Sequence, residues 1–553
     1  MKIKKNNYIT FLCFFISINE TYNFNCGANK LRLKPLNLNN THTKDKRSLQ
    51  LGYKPIKIGI DYTSFSKPNS MSNSTFNNIK SLIESTTNEF QKFLRVQHTN
   101  FKVPNITDLE EACQVNKISD KLQDLFYYYD IVIFPIFTNQ FEKGILAGAG
   151  FCMTVNLGQN LLRPVAGSLL INQDIDFDSK NVDMYIKNII FHEITHILVF
   201  SHDLLIYLGM TTTINNLIYI NSKEVLSRAK MHFNCNSLKG LPLEDQGENG
   251  SVGSHWEARY MLGDYMNSVI YIDNVISDIT LALFEDTGFY QVEYYSGGLF
   301  KFGKNSGCIF LNEKCIFNGN PISDEFCIVE GQPKCSKSKL SKGYCGIYDY
   351  SLTGITIPSK YRYFSNSNYG GYEISNFCPV SETYYSSKDY FPYNCKVGTS
   401  TLNKDFGEII GNNSFCFISS LLPSGSNYKS NNQAICYQIE CDRINKQIIV
   451  HVGSSIINCP TFGGLISNIS GFKGSINCPK YIDICSFDNN NICNEMFDCL
   501  TKQIKTDQNS YINESNSNSY DDLNFWDMRL NSSNNYIHHN IFIIISILYL
   551  IIL

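Results

Sequence analysis

The pentapeptide His192-Glu193-Ile194-Thr195-His196 is the strongest single constraint on how this chain folds. Histidines four residues apart lie on one face of an α-helix. Apolar residues surround the motif from residue 183 to about residue 207, which predicts one helix over that range. On such a helix both imidazoles reach one zinc ion, and Glu193 reaches the zinc-bound water. Zinc makes that water more acidic and a neighbouring carboxylate takes its proton, so the motif predicts hydrolysis of peptide bonds.

Charge and cysteine content indicate where the protein works. The chain has 553 residues, enough for several domains, and a net charge of −3 that gives no basic bias towards nucleic acid. Its 20 cysteines favour an oxidising compartment with disulfides. Lysines precede a short apolar run at residues 8–18, which predicts a secretory signal peptide over residues 1–19. We therefore expect a secreted protein with no nucleic-acid partner.

The rest of the chain divides by composition. Residues 20–50 are polar, contain Cys26 and a basic cluster at 44–47, and are interpreted as a prosegment. We predict strands at 54–62, 130–137 and 166–172, a helix at 77–93 and a segment of small residues at 144–152. Beyond about residue 300 the chain holds fifteen cysteines and many Gly, Asn and Ser residues, which is typical of a disulfide-rich, loop-rich domain. Residues 501–540 are polar and resemble an exposed stalk.

Two histidines compete as third metal ligand, because a catalytic zinc usually has three protein ligands. His202 occupies the last position of the pattern H-E-x-x-H-x-x-G-x-x-H, but Val199 stands where that pattern has glycine. Valine resists the positive φ that such a turn uses, so a helix continuing through Val199 carries His202 away from the metal. His255 is the other candidate, with Met266 a short distance downstream. Spacing alone allows either.

The chain resembles the leishmanolysins, metzincin proteases of peptidase family M8 in which an insertion separates the second and third zinc histidines. The resemblance covers residues from about 50 to 320. The similar stretches are residues 163–167, 192–196, 241–244, 253–257, 265–266, 276–288 and 302–315.

This resemblance implies a site and an architecture. It implies that His192, His196 and His255 bind one Zn²⁺ per chain, that Glu193 is the general base, and that Met266 forms the Met-turn beneath the metal. The expected fold is α+β, with a metzincin-type catalytic domain of mixed sheet and active-site helix. The expected parts are an N-terminal catalytic subdomain (51–203), a central insertion subdomain (204–300) and a Cys-rich C-terminal domain (301–500). Substrates would be proteins or peptides.

The two ends of the chain suggest processing. The family keeps its zymogen inactive with a prosegment cysteine on zinc, and Cys26 is the candidate for that role here, although Asn25-Cys26-Gly27 does not clearly match the family's form. At the C-terminus a polar stalk (501–531) precedes small residues and an apolar tail without charges. This pattern predicts a GPI signal, with residues 532–553 removed and lipid attached near Asn531, Ser532 or Ser533 in the outer membrane leaflet. A tail-anchored segment is the alternative.

Sequons at Asn39, Asn73, Asn105, Asn412, Asn468, Asn513 and Asn531 predict a glycoprotein.

The predicted function is therefore a cell-surface, GPI-anchored zinc endopeptidase. Two alternatives stay open. One is a surface adhesion or binding protein on a catalytically impaired scaffold, which only Val199 favours. The other is a zinc amidase that acts on something other than peptides.

Overall fold

The computed structural model describes residues 25–26, 35–38, 52–99, 101–141, 145–159, 161–177, 182–246, 252–269, 274–293, 300–383, 394–396 and 404–485. Before residue 300 the strands are β1 (Asn25–Cys26), β2 (Leu36–Leu38), β3 (Lys54–Pro55), β4 (Ile58–Ile60), β5 (Leu94–Val96), β6 (Ile131–Thr138), β7 (Ile145–Asn156), β8 (Leu162–Asn172), β9 (Thr211–Ile214), β10 (Leu217–Ile220), β11 (Leu241–Pro242) and β12 (Tyr290–Val292). After residue 300 they are β13 (Ile316–Phe317), β14 (Asn320–Pro321), β15 (Pro333–Cys335), β16 (Lys342–Cys345), β17 (Tyr348–Asp349), β18 (Tyr369–Gly370), β19 (Ser381–Thr383), β20 (Ser414–Ser419), β21 (Leu422–Pro423), β22 (Gln433–Asp442), β23 (Gln447–Val452), β24 (Ser455–Cys459), β25 (Gly464–Ser467), β26 (Phe472–Lys473) and β27 (Ser475–Cys478). The α-helices are α1 (Asn73–Phe93), α2 (Ile106–Cys113), α3 (Leu122–Tyr128), α4 (Val182–Leu198), α5 (His202–Tyr207), α6 (Lys223–Phe233), α7 (Ala258–Met261), α8 (Asp278–Asp286), α9 (Gly307–Asn312) and α10 (Tyr481–Ile484).

A mixed sheet forms the base on which α4 lies. Its strand order is β1-β7-β8-β6-β4, with β2 also on β7. The strands β4, β6 and β8 run parallel, and β7 runs antiparallel to β8. Because β6 is packed on both faces, its sequence is an almost continuous apolar run.

Helix α4 packs directly onto β8 at Gly167. A Cβ atom at Gly167 would lie 2.3 Å from the Cγ2 atom of Ile197, so only a residue without a side chain allows this close approach. On the opposite side of α4, the ring of Phe191 stacks on Phe90 of α1 at 4.2 Å between centroids. These contacts fix the helix that carries the histidine motif.

Most predicted elements are present, with different bounds. The strand predicted at 130–137 is β6, the one predicted at 166–172 is the second part of β8, and the small-residue segment begins β7. The helix predicted at 77–93 begins earlier, because Ser72 caps it by accepting a hydrogen bond from the amide of Thr75. The strand predicted at 54–62 is divided into β3 and β4, which join different sheets.

The single helix predicted over residues 183–207 is wrong. The helix stops at Leu198, and α5 starts separately at His202. The amides of Val199 and Phe200 both donate to the carbonyl of Thr195, which ends the regular hydrogen-bond pattern. The stretch 185–207 is the one segment in the described residues long and apolar enough to cross a membrane, and it is 78% buried inside the protein, as a core helix is.

Cysteine pairs connect the loop-rich second half. Sixteen cysteines of the described residues form eight disulfides: Cys113–Cys152, Cys235–Cys308, Cys315–Cys378, Cys327–Cys345, Cys335–Cys416, Cys395–Cys436, Cys441–Cys485 and Cys459–Cys478. The sequence predicts a disulfide-rich domain after residue 300, and this network is what such a domain should contain. Cys493 and Cys499 lie outside the described residues.

The largest sheet after residue 300 is curled. Its strand order is β24-β23-β22-β20-β27-β25. Cys459 in the first of these strands is bonded to Cys478 in the fifth, with Cα atoms 5.6 Å apart. The sheet must bend back on itself to bring these strands together, and its interior is filled by a core that includes Phe417, Tyr437 and Val450.

Candidate metal centre

Three buried imidazoles converge at the end of α4. The Nε2 atom of His192 lies 3.0 Å from Nε2 of His196 and 3.2 Å from Nε2 of His255. All three residues are at most 1% exposed. Nitrogen ligands about 2.0 Å from a tetrahedral zinc are separated by roughly 3.3 Å, so the spacing suits one such ion.

Backbone carbonyls set the tautomer of two of these rings. Nδ1 of His192 donates to the carbonyl of Tyr265 at 2.7 Å, and Nδ1 of His196 donates to the carbonyl of Phe200 at 2.7 Å. The proton therefore sits on Nδ1, and the Nε2 lone pairs of both rings point at each other with no proton between them. A cation bound between the Nε2 atoms would accept both lone pairs and remove their mutual repulsion.

Burial keeps the rings neutral. Desolvation lowers the pKa of His192 to about 4, and the hydrogen bond to Tyr265 opposes the shift. Desolvation, followed by the neighbouring His192 and His255, lowers the pKa of His196 well below its ordinary value. At neutral pH both rings are therefore neutral with Nε2 free of a proton, as metal binding requires.

His255 is held by a loop that returns to α4. The amide of Glu244 donates to the carbonyl of His255 at 2.9 Å, and the amide of Gly253 donates to the carbonyl of Glu244 at 3.0 Å. Gly253 has φ +78°, and a Cβ atom there would lie 2.4 Å from Nδ1 of His202. Glycine is thus required just before His255 both for its backbone conformation and for space.

A buried hydrogen-bond network fixes the turn at Met266. Asp264 accepts from the amide of Met266 at 2.8 Å and from the hydroxyl of Thr280 at 2.8 Å. The indole of Trp256 donates to the same hydroxyl at 2.7 Å, and the amide of Trp256 donates to the carbonyl of Met266 at 3.0 Å. Burial raises the pKa of Asp264 to about 6 against these hydrogen bonds. Met266 is fully buried.

The chain accommodates Val199 without strain. Val199 is fully buried, and it is not among the described residues with positive φ. The break between α4 and α5 places His202 at the start of α5, against Gly253, and outside the three-histidine group.

A second group of possible ligands lies next to the His255 loop. Carboxylate oxygens of Glu244, Asp245 and Glu257 lie within 4.8 Å of one another. Burial raises the pKa of both Glu244 and Glu257 well above the ordinary value. Asp245 also accepts from the hydroxyl of Tyr361 at 2.9 Å, which joins this loop to the cysteine-rich part of the chain.

The remaining predicted site residues have different outcomes. Glu193 is 1% exposed and follows His192 on α4. Cys26 is described only through its strand, in which Cys26 pairs in parallel with Ala147 of β7. Asn531, Ser532 and Ser533 lie outside the described residues.

Sequence reasoning missed the groups that orient the site. The carbonyls of Tyr265 and Phe200 leave no trace in side-chain patterns. Thr280 carries a weak signal, because it lies in a stretch similar to the leishmanolysins, and Asp264 directly precedes another such stretch, but nothing in the sequence connects them to each other.

Comparison with known proteins gives one consistent family. The leishmanolysin profile, peptidase M8, matches residues 76–492. The chain is 29% identical to leishmanolysin of Leishmania chagasi over 365 residues, covering 62% of this chain and 58% of that protein. It is 27% identical to leishmanolysin of Leishmania tropica over 363 residues, covering 62% and 53%. It is 27% identical to the ciliated left-right organizer metallopeptidase of Danio rerio over 384 residues, covering 63% and 55%. The chain thus matches little more than half the length of each of these relatives.

Proposed function

Because this chain belongs to the leishmanolysin family of peptidases, we propose that it is a zinc-dependent endopeptidase that cleaves proteins or peptides. The convergence of the three Nε2 atoms of His192, His196 and His255 is the observation that carries this proposal. These three residues would hold the metal. Three imidazoles suit zinc and leave a fourth position for the reaction. Bound zinc supplies Lewis-acid chemistry: it polarises the scissile carbonyl and acidifies water.

Glu193 is the proposed general base. Glu193 directly follows His192 on α4 and is buried, and both observations support this role. The carboxylate takes a proton from the attacking water and returns it to the leaving amine. The substrate would lie as an extended strand between the N-terminal and central subdomains, held by backbone hydrogen bonds.

The other proposed features concern location and control. Eight disulfides in the described residues support a secreted protein, because such bonds persist in oxidising compartments. The GPI anchor rests on the C-terminal sequence alone. The prosegment proposal likewise rests on the sequence, and its strands β1 and β2 pair with β7 in the sheet beneath α4. Val199, which alone favoured a noncatalytic adhesion protein, is buried without a positive φ.

The replacement Glu193→Gln tests the proposed function. We expect hydrolysis of casein to fall on the order of a thousandfold, because the general base is lost while the three histidines still bind metal. Zinc content is measured by mass spectrometry of the same samples. The matched control is Glu111→Gln, an exposed carboxylate of α2, which keeps full activity. Near-normal hydrolysis by Glu193→Gln would refute the assigned role.

A further inference from the structure

One end of the curled sheet exposes large apolar side chains at its turns. Ile444, in the turn between β22 and β23, is 93% exposed. Phe462, in the connection between β24 and β25, is 87% exposed, and Leu465 at the start of β25 is 72% exposed. Single exposed apolar residues are ordinary on protein surfaces, so their significance depends on whether they lie together.

Strand register places these side chains at the same end of the sheet. Asp442 pairs with Gln447, so the turn 443–446 lies just beyond that pair. Ile448 pairs with Cys459, so the connection 460–463 begins beside the same turn. Gly464 pairs with Cys478, and Cys478 is disulfide-bonded to Cys459 at the end of β24 with Cα atoms 5.6 Å apart, so the start of β25 lies close to the same connection. We call Ile444, Phe462 and Leu465 the apolar tip.

Both turns are held rigidly. The carboxylate of Asp442 accepts from the amides of Ile444 and Asn445, each at 3.0 Å, which closes the hairpin turn. The amide of Gly463 donates to the carbonyl of Pro460 at 2.9 Å, and the amide of Tyr481 donates to the carbonyl of Thr461 at 2.9 Å. The exposed side chains therefore project from ordered backbone and do not depend on a partner to fix their position.

Three basic residues lie near the apolar tip, together with the Asp442 carboxylate that closes the Ile444 turn. Arg443 and Lys446 flank Ile444 in the hairpin turn, and both are exposed. Lys480 follows β27 and caps α10, whose first amide bonds to the Phe462 turn. In a bilayer the acyl chains lie beneath the phosphates. Apolar side chains at the tip match the acyl chains, and the cations near them match the phosphates.

The chain also leaves the described part of the protein at this end. Cys485, the last described residue, is bonded to Cys441 with Cα atoms 5.7 Å apart. Cys441 immediately precedes Asp442 and the Ile444 turn. The continuation, residues 486–553, therefore starts beside the apolar tip, and it includes the uncharged apolar run 541–553.

We propose that the apolar tip inserts into the surface of a phospholipid bilayer. Ile444, Phe462 and Leu465 enter the boundary between headgroups and acyl chains, while Arg443, Lys446 and Lys480 lie at the phosphates. This contact holds the curled sheet against the membrane from which the chain would be tethered. The proposal does not depend on peptidase activity.

Tryptophan probes test insertion. The full chain, purified from secreting cells, is reconstituted into phosphatidylcholine vesicles with or without bromine on the acyl chains. Phe462→Trp and Ile444→Trp report on the apolar tip, and emission of the parent protein, which contains Trp256 and Trp526, is subtracted. The control is Phe317→Trp, a site 51% exposed in the separate hairpin of β13 and β14. Thermal midpoints confirm that each variant is folded.

We expect brominated lipid to reduce emission of both tip probes about twofold and to leave the Phe317→Trp probe unchanged, because bromine quenches only indoles at the depth of the acyl chains. Two tip sites keep the test valid if one variant fails to fold. Equal quenching at all three sites, or none at the tip, would overturn the proposal.

Discussion

The three imidazoles of the metal centre differ in how their positions are specified. His192 and His196 are fixed by their spacing on α4, and their rings are locked by the carbonyls of Tyr265 and Phe200. His255 depends on a long loop that must return to the helix, and the glycine at position 253 permits that return. His202, although nearer in sequence, is directed to Gly253 by the break at Val199.

Single alanine variants should show whether His255 or His202 is the third metal ligand. His255→Ala should lose zinc and activity together, because only two imidazoles then remain for the ion. His202→Ala should keep both, since its ring lies outside the three-histidine group. Zinc stoichiometry of the purified variants decides between them. A zinc-free His202→Ala beside a zinc-loaded His255→Ala would show that the contiguous ligand set is used.

At the scale of elements, the Met266 turn is held to α8 by a buried carboxylate. Asp264 accepts hydrogen bonds from Met266 on one side and from Ser277 and Thr280, at the start of α8, on the other. The same turn supplies the Tyr265 carbonyl that orients His192. We therefore expect the stability of this turn and the retention of metal to be coupled.

The variant Asp264→Asn should show that coupling. Asparagine puts an NH₂ group where one carboxylate oxygen accepted hydrogen bonds. Two donors then face each other, which costs about 1–3 kcal/mol of unfolding free energy. We expect faster transfer of zinc to a chelator as well as a lower denaturation midpoint.

Asp286→Asn is the matched control. Asp286 accepts from the amides of Glu224 and Val225 at the start of α6 and does not contact the Met266 turn. It should lower the midpoint by a similar amount without changing zinc transfer. Equal rates of zinc loss in both variants would refute a specific role for Asp264.

Sequence patterns predicted which helices and strands are present better than they predicted where each one begins and ends. The apolar run of β6 and the histidine motif of α4 are local signals, and both appear where expected. The break after Leu198 is not visible, because Val199 and Phe200 continue the apolar pattern while the break depends on hydrogen bonds to Thr195. Disulfide partners likewise follow from the fold, since a set of cysteines permits many pairings. The resemblance to the leishmanolysins, not spacing, singled out His255.

At the scale of the whole molecule, the tail prediction concerns residues outside those described. If the C-terminus is a GPI signal, the mature protein lacks the signal at residues 532–553, including the apolar run 541–553, and carries a lipid near Asn531 to Ser533. Peptide mass spectrometry of protein from the cell surface checks this, and a phosphatidylinositol-specific phospholipase should release it. Recovery of the apolar peptide from mature protein would support a tail-anchored segment instead.

The central claim is that one zinc ion at the three histidines makes this chain a peptidase. The most direct test removes metal from the mature protein with a chelator and returns zinc in measured steps while following casein hydrolysis. We predict that activity disappears with the metal and returns in proportion to bound zinc, reaching its limit at one ion per chain. Hydrolysis that survives removal of the metal, or a fully zinc-loaded protein that does not cleave, would contradict the account.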